Sequence, residues 1–338
     1  MSPIHHQPVM VEEALTLLAP ERGGLFVDCT VGLGGHAEAL LRRGEEVRLL
    51  GLDRDPQALA IAEERLRPFG ERVRLVQARF SEVAKALGDE PLTGGALADL
   101  GVSSLQLELA ERGFSLQQDG PLDMRMGGDD SEKGIDTRVS EQGIDTSVSE
   151  KGIDAGGGED SVSAFDLVNE APEGQLQQIF SEYGEERMAR RIAQTIATAR
   201  VQRPVRTTRE LRELVYRAKG GRRKEGRIDS ATRVFQALRI AVNEELQELE
   251  RLLGEAVRLM RPDGRLVVIS YHSLEDRLVK HRMKAWGQPS RDPVTGRERE
   301  EERIVELLTK KALRPSEEEV AINPRARSAR LRAVRKLV

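Results

Sequence analysis

The sequence predicts an α/β fold with one parallel sheet, interrupted by an inserted region that is mainly helical. In the first hundred residues, short apolar strands alternate with helical segments, as they do when helices cover both faces of a parallel sheet. A further apolar strand is predicted within 265–273, after a long stretch with helical periodicity. We therefore expect one sheet that is assembled from both ends of the chain.

Individual elements are predicted from runs of aliphatic and β-branched residues and from the glycines and prolines that end them. The predicted strands of the first hundred residues cover 25–30, 47–53, 73–78 and 95–102. A first helix is predicted over 37–44, and a second begins at Pro56, because proline is favourable in the first helical turn. One long amphipathic helix is predicted from Thr232 to Met260.

These elements divide the chain into a sheet domain, formed by 1–110 and 229–338, and a helical insertion, formed by 111–228. Within the insertion, residues 129–160 repeat an acidic motif, in which EKGIDTRVS is followed directly by EQGIDTSVS. The copies are too few and too poor in apolar residues to stack into a repeat core. We therefore predict a disordered insertion at 129–160.

Composition excludes several classes of protein. The single cysteine, Cys29, cannot form an intrachain disulfide, and no apolar run approaches the roughly 18 residues that a membrane span requires. The first residues also lack the pattern of a secretory signal. We expect a protein of the reducing cytoplasm that has no membrane partner.

The distribution of charge indicates a nucleic-acid partner, although the net charge is −4. Ten acidic and three basic residues fall within 129–160, so the rest of the chain is net basic. Basic residues cluster at 200–227 and at 325–336. Either cluster alone is as readily interpreted as a solvated surface.

A glycine-rich turn is the first candidate binding site. A predicted strand reaches Asp28, and Gly32 and Gly34 follow before a helix, so that backbone N–H groups at the helix start can hold an anionic group. Asp53 ends the next strand, where it can bind the hydroxyls of a ribose. Because Gly32, Gly34 and Ala37 also fit the dinucleotide pattern, an NAD-dependent oxidoreductase is an alternative at this point.

Asp99 is the second candidate. It lies within ALADLGVSS, at the carboxyl end of the fourth predicted strand. Ligands of open α/β sheets bind at that edge, which makes Asp99 a site residue. The alternative is that Asp99 only caps the following helix.

Several strings, in the same order and over nearly the whole chain, carry a family resemblance. They include DCTVGLGGH at 28–36, GLDRDPQAL at 51–59, DLGVSSLQL at 99–107, RGFSLQQDGPLDMRM at 112–126, ISYHSLEDRLVK at 269–280 and NPRARSARLRA at 323–333. Together they resemble the bacterial 16S ribosomal RNA cytosine-N4 methyltransferases, the RsmH or MraW family. Two features depart from the family pattern: Asp229 and Ser230 replace a common His-Pro pair, and the acidic repeat follows DMRM.

The resemblance implies a Rossmann-like methyltransferase sheet, S-adenosylmethionine as cofactor, and N4-methylation of a cytidine in the decoding region of 16S rRNA within the small ribosomal subunit. Carried over by position, the cofactor contacts are Gly34, Gly35, His36, Asp53, Phe80, Asp99 and Gln106. By analogy with amino methyltransferases of DNA, the candidate acceptors for the protons of the amine are Asp99, Ser103 and His272. A structural role is the alternative for His272.

The basic clusters supply the candidate RNA contacts, which would make binding strongly dependent on salt. They are Arg203, Arg206, Arg222, Arg223, Arg325, Arg327 and Arg330. No metal site is predicted, since the histidines do not have the spacing of paired ligands. A noncatalytic RNA-binding factor that uses these clusters is the remaining alternative.

Overall fold

The computed structural model describes residues 8–127, 162–221, 229–291, 298–299 and 303–338. The acidic repeat, and with it the prediction of disorder, lies outside the described residues, as do Arg222 and Arg223. The chain divides into two compact units. Unit 1 comprises Met1–Glu108 and Glu244–Val338, and unit 2 comprises Leu109–Asn243.

The described residues of unit 1 contain all the strands. They are β1 (Gly24–Asp28), β2 (Val47–Asp53), β3 (Val73–Gln77), β4 (Gly95–Asp99), β5 (Arg265–Ser270), β6 (Ser290–Arg291), β7 (Glu298–Arg299), β8 (Val305–Leu307) and β9 (Arg330–Lys336). Seven of them form one sheet in the order β3-β2-β1-β4-β5-β9-β8, and β6 pairs with β7 separately. The first five strands in this order run parallel to one another, whereas β9 is antiparallel to both β5 and β8. The predicted α/β fold is confirmed, and β8 and β9 extend the sheet beyond the predicted strands.

Helices flank the sheet in unit 1. Among the described residues of unit 2, the regular elements are helices and none is a strand. The helices of the two units are α1 (Val11–Leu18), α2 (Gly35–Arg43), α3 (Pro56–Leu66), α4 (Val83–Leu87), α5 (Ser104–Glu108), α6 (Ala164–Glu170), α7 (Glu173–Glu182), α8 (Ala189–Gln202), α9 (Thr208–Lys219), α10 (Thr232–Asn243), α11 (Glu245–Leu259), α12 (Ser273–Gly287) and α13 (Glu317–Ile322). None of these helices is both long and apolar enough to cross a lipid bilayer.

Alternate residues of the central strands supply two separate hydrophobic cores, because successive side chains of a strand point to opposite faces. Leu25 and Val27 of β1 pack in one core with leucines of α11, such as Leu253. Phe26 packs in the other core with Leu40 of α2 and with residues of α1. Burial on both faces explains why the parallel strands are nearly continuous apolar runs in the sequence.

The order of the strands leaves a crevice at the carboxyl ends of β1 and β4. The chain passes from β1 outward to β2 and β3, and then returns to the other side of β1 with β4 and β5. Where the direction of winding reverses, the connections that leave adjacent strands diverge, and ligands bind in the gap. Asp28 ends β1 and Asp99 ends β4, so both carboxylates lie at this edge.

The prediction of one continuous helix from Thr232 to Met260 is wrong. The structure has two helices, α10 and α11, separated at Glu244, whose φ of 51° is left-handed. The buried Asn243 explains part of the break, since its amide group donates to the carbonyl of Met124 and accepts from the N–H of Met126. Helical periodicity continued through this point, so the apolar pattern alone did not reveal the interruption.

Unit 2 is a helical assembly with its own apolar interior. α8 packs against α7 and α9, and α10 packs against α6 and α7. Phe180 and Ile192 are among its completely buried side chains. Asp229, which departs from the family pattern, accepts hydrogen bonds from the Tyr216 hydroxyl at 2.6 Å and from the N–H of Ala231 at 2.8 Å. These bonds stabilise the chain immediately before α10.

We expect Leu50→Ala to destabilise unit 1 by about 2–5 kcal/mol, because it leaves a cavity in a completely buried part of β2. Urea denaturation measures the change in the free energy of unfolding. The matched control is Ile322→Ala in α13, where the side chain is 72% exposed and the expected change is within about 0.5 kcal/mol. Equal losses in the two variants would contradict the assignment of Leu50 to the core.

Candidate functional site

The glycine-rich turn connects β1 to α2 and passes close to the end of β2. Gly32 and Gly34 have φ values of 50° and 80°, which are strained for any residue with a Cβ atom. The N–H of Gly32 donates to Asp53 Oδ2 at 2.9 Å, which fixes the turn against the carboxyl end of β2. A Cβ atom on Gly34 would also lie 3.3 Å from the side chain of Arg65. The predicted turn is therefore present, and its backbone conformation explains why Gly32 and Gly34 are glycines.

Three carboxylates, which we call the carboxylate cluster, surround this turn: Asp28, Asp53 and Asp99. Burial raises the pKa of Asp28 to about 7, and the charges of Asp99 and Asp53 contribute to the increase. Burial likewise raises the pKa of Asp53 and of Asp99. Because each acid is desolvated and Asp28 feels the charge of the other two, the cluster favours the binding of a positively charged group.

Asp53 is oriented by backbone donors on both of its oxygens. Oδ2 accepts the bond from Gly32, and Oδ1 accepts the N–H of Asp55 at 2.9 Å. These bonds oppose the effect of burial on the pKa of Asp53. A carboxylate oxygen can accept a second hydrogen bond, so Asp53 retains the capacity to bind a pair of hydroxyls.

His36 connects the turn to Asp99. Its Nε2 lies 2.9 Å from the carbonyl oxygen of Val9, and a carbonyl only accepts, so Nε2 carries a hydrogen. Nδ1 lies 3.6 Å from Asp99 Oδ2. Burial raises the pKa of Asp99, and the proximity of His36 opposes this increase.

Tyr271 is a site residue that the sequence analysis missed. Its hydroxyl donates to Asp99 Oδ1 at 2.7 Å, and its ring lies 3.4 Å from the position that a Cβ on Gly101 would occupy. Burial and the charge of Asp99 raise the pKa of Tyr271 well above its usual value, so the phenol remains a donor. The signal was the string ISYHS at the end of the strand predicted within 265–273, but the role of Tyr271 depends on the pairing of β4 with β5.

Gln106 and Phe80 lie in unit 1 after β4 and β3, respectively. Gln106 is buried, and its amide nitrogen lies 3.4 Å from Asp55 Oδ2 while its Oε1 accepts the N–H of Ser103. Phe80 begins a short 3₁₀ segment and packs, partly buried, against the core that contains Leu25. Their contacts with a cofactor stay predictions.

Ser103 and His272 both cap helices. The Ser103 hydroxyl accepts the N–H of Gln106 at 3.2 Å, at the start of α5. The predicted strand over 265–273 ends earlier, at Ser270, and His272 is the N-cap of α12, where its Nδ1 accepts the N–H of Glu275. These contacts favour the structural role for His272, and both residues stay only candidates for catalysis.

One cluster of potential metal ligands occurs among the described residues. Ligand atoms of Glu245, His272 and Glu275 lie within 4.8 Å of one another. However, His272 Nδ1 accepts a hydrogen bond, so Nε2 of the neutral ring carries the hydrogen and faces Glu275 Oε1 at 3.1 Å. A metal would require a lone pair on Nε2, and the arrangement therefore favours a proton at this position.

The predicted RNA contacts fall in both units. Arg203 and Arg206 are exposed in unit 2, where Arg203 pairs with Glu210 at 2.9 Å. In unit 1, Arg325 and Arg327 are exposed and Arg330 is partly buried. Their RNA contacts stay predictions.

We expect Asp28→Asn to stabilise the protein more at pH 8 than at pH 5. The folded pKa of about 7 exceeds the usual value of 3.8, so the contribution of Asp28 to stability is full at low pH and is lost as the pH rises through about 7. Asparagine retains an acceptor for the N–H of Thr30 but carries no charge. The relative gain should be on the order of a few kcal/mol.

Urea denaturation at both pH values measures this gain, with exposed Asp89→Asn as the control. An Asp28→Asn effect that is the same at pH 5 and pH 8 would show that Asp28 is ionised at both.

Comparison with known proteins identifies the family of the chain. The model of the MraW methylase family matches residues 3–140 and 157–337. Proteins named "Ribosomal RNA small subunit methyltransferase H" align with 98% of this chain: that of Nitratidesulfovibrio vulgaris is 46% identical and covered over 95% of its length, and that of Lawsonia intracellularis is 44% identical and covered over 99%. The predicted methyltransferase activity and the use of S-adenosylmethionine are thereby confirmed. The chain belongs to the MraW methylase family.

Proposed function

We propose that this chain transfers a methyl group from S-adenosylmethionine to N4 of a cytidine in the 16S rRNA of the small ribosomal subunit. The observation that carries the proposal is the match over 98% of the chain to relatives named for methylation of small-subunit ribosomal RNA. The choice of N4 and of the decoding region rests on the family resemblance of the strings along the sequence. Because its substrate is the ribosome, the enzyme acts in the cytoplasm.

Membership of a methylase family excludes two alternatives. The glycine turn by itself fitted an NAD-dependent oxidoreductase, because Gly32, Gly34 and Ala37 satisfy the dinucleotide pattern. The basic clusters by themselves fitted a noncatalytic RNA-binding factor. A methyltransferase accounts for the turn, the carboxylate cluster and the basic residues together.

The carboxylate cluster fits the charge of the cofactor. S-adenosylmethionine supplies a methyl group on a positively charged sulfur, and it also carries an ammonium group. Asp28 is buried and Asp99 is half-buried, and desolvation raises the pKa of both acids although the nearby His36 opposes the increase. A bound cation offsets that cost, while Asp53 has acceptor capacity left for the ribose.

Asp99 is the best supported acceptor for the cytosine amine. The lone pair of that amine is delocalised into the ring, so an acceptor that draws on its protons increases its reactivity. The Tyr271 hydroxyl donates to one carboxylate oxygen of Asp99, and His36 lies beside the other. Asp99 is the last residue of β4, at the carboxyl edge of the sheet. By contrast, Ser103 and His272 are engaged in helix caps.

Positioning contributes more than proton transfer to such a reaction. Correct alignment of two reactants can lower the barrier by roughly 7–11 kcal/mol, whereas a general base adds about 10²- to 10⁴-fold in rate. The target base also has to leave its stack to reach an enzyme pocket. We infer that the exposed arginines of both units hold the surrounding RNA by its phosphates while the base is bound.

The direct test is incubation of undermethylated small subunits with the protein and S-adenosylmethionine, followed by mass spectrometry of the rRNA nucleosides. We expect new N4-methylcytidine at one position. Asp99→Asn should lose most of the turnover even when S-adenosylmethionine is present at a saturating concentration. If cofactor binds but no N4-methylcytidine forms, the proposed function is wrong; if Asp99→Asn keeps full turnover, Asp99 is not the acceptor.

We expect Tyr271→Phe to shift the acidic limb of the pH–rate profile to higher pH. The hydrogen bond from Tyr271 lowers the pKa of Asp99, and its loss makes the ionised acceptor available only at higher pH. A hydrogen bond to a charged group is worth about 1.5–3 kcal/mol, which corresponds to a shift of roughly one to two pH units.

Single-turnover rates between pH 5 and pH 9 measure this shift, and Tyr183→Phe in unit 2 serves as the control. A slower Tyr271→Phe enzyme with an unshifted limb would mean that Tyr271 only supports the local structure.

A further inference from the structure

A basic pocket lies in unit 1 beside the N-terminus of α12. Its volume is about 150 Å³. The residues that line it include Arg314, Arg327, Arg330, Ser328, His272 and Tyr271. A pocket of this size holds several water molecules or one small anionic group.

Two of the three arginines carry charges that the protein does not neutralise. Within the residues that the structure describes, the side chains of Arg314 and Arg327 form neither an ion pair nor a hydrogen bond, and both residues are exposed. Arg330 binds Asp276 Oδ2 at 2.8 Å through one of its terminal nitrogens, which leaves its other N–H groups. The pocket therefore combines three guanidinium groups with little internal compensation.

Two acids in the first turn of α12, beside the pocket, are already engaged. Asp276 accepts hydrogen bonds from both Arg330 and Arg332, and although burial raises its pKa, these two bonds hold the pKa below its usual value. The Glu275 carboxylate accepts the N–H groups of Tyr271 and His272. Neither Asp276 nor Glu275 forms an ion pair with Arg314 or Arg327. The pocket is therefore suited to an external anion.

The chemistry of the pocket fits a phosphate group. Arginine donors form a planar fork that binds two phosphate oxygens at once. S-adenosylmethionine contains no phosphate, so the cofactor does not explain these charges. The phosphates of the methylation reaction belong to the RNA.

The pocket is also close to the reactive end of the site. Tyr271 borders the pocket and donates its hydroxyl to Asp99 at 2.7 Å. Tyr271 alone thus separates the arginines from Asp99, the carboxylate that accepts a hydrogen bond from the cytosine amine in the proposed mechanism. In a nucleotide, base and phosphate are likewise connected by a single sugar.

We propose that Arg314, Arg327 and Arg330 form a phosphate site that holds one phosphodiester of the substrate RNA next to the target cytidine. The proposal rests on the proposed function, and it assigns to this pocket the positioning of the flipped nucleotide. Arg314 is a new contact, and Arg327 and Arg330 act on a single phosphate rather than along a general basic surface.

The first test is the salt dependence of RNA binding by the full-length protein. Each phosphate contact to a single strand contributes about 0.7 to the slope of log K against log[salt]. The double variant Arg314→Gln/Arg327→Gln should lower the slope by about this amount, while its affinity for S-adenosylmethionine is unchanged. Arg327→Lys keeps the charge and should retain most of the slope.

The control is Arg258→Gln, which removes an exposed arginine of α11, paired with Glu255, outside the pocket. It should leave the slope unchanged. Because the readout is binding, it is independent of methyl transfer: a protein that binds RNA through the pocket but forms no N4-methylcytidine would contradict the proposed function only.

The second test identifies the phosphate. RNA oligonucleotides that carry one neutral methylphosphonate at successive positions around the target cytidine are bound to the wild-type protein and to the double variant. One position should weaken binding to the wild type several-fold and have no effect on the variant. In a parallel experiment, inorganic phosphate competes with the RNA for binding, and chloride at equal ionic strength is the control.

Two outcomes would overturn the proposal. One is a double variant whose affinity and salt slope equal those of the wild type. The other is competition by inorganic phosphate without any sensitive methylphosphonate position, which would make the pocket a site for a free anion instead of the RNA backbone.

Discussion

The proximity of three desolvated carboxylates is the constraint on which the rest of unit 1 depends. Parallel strands place their carboxyl ends at one edge, and the order β2-β1-β4 brings Asp53, Asp28 and Asp99 to adjacent strand ends. Burying acids in this way is unfavourable for folding. The two hydrophobic cores on either face of the sheet supply the stability that allows it. The same desolvation makes the edge selective for a cationic ligand.

Much of the sheet could be predicted because its central strands are buried on both faces. Burial on two sides requires uninterrupted apolar runs, and these predicted β1 to β4 to within a few residues. The segment that forms β9 was not predicted as a strand, because its buried residues Leu331, Ala333 and Val334 lie among arginines. Alternation with so many charges resembles a solvated tail until a partner strand is known.

The candidate site was predictable to the extent that it depends on single strands. Asp28, Asp53 and Asp99 follow apolar runs, so their position at the sheet edge could be inferred without the strand order. Tyr271 and the arginine pocket could not be inferred in this way. Tyr271 meets Asp99 only because β5 pairs with β4, and Arg314 meets the N-terminus of α12 only in the folded unit.

The position of β9 has a consequence for the order in which the protein acquires structure during synthesis. β9 lies between β5 and β8, so an interior strand of unit 1 is missing until residues 330–336 have been translated. Unit 2 is one continuous segment, Leu109–Asn243, and emerges from the ribosome well before that point. Since domains fold as units during translation, the helical unit can be complete while the sheet still has an open edge at β5. Unit 1 is thus the last part to complete its fold, and its exposed edge at β5 is where a stalled chain would aggregate.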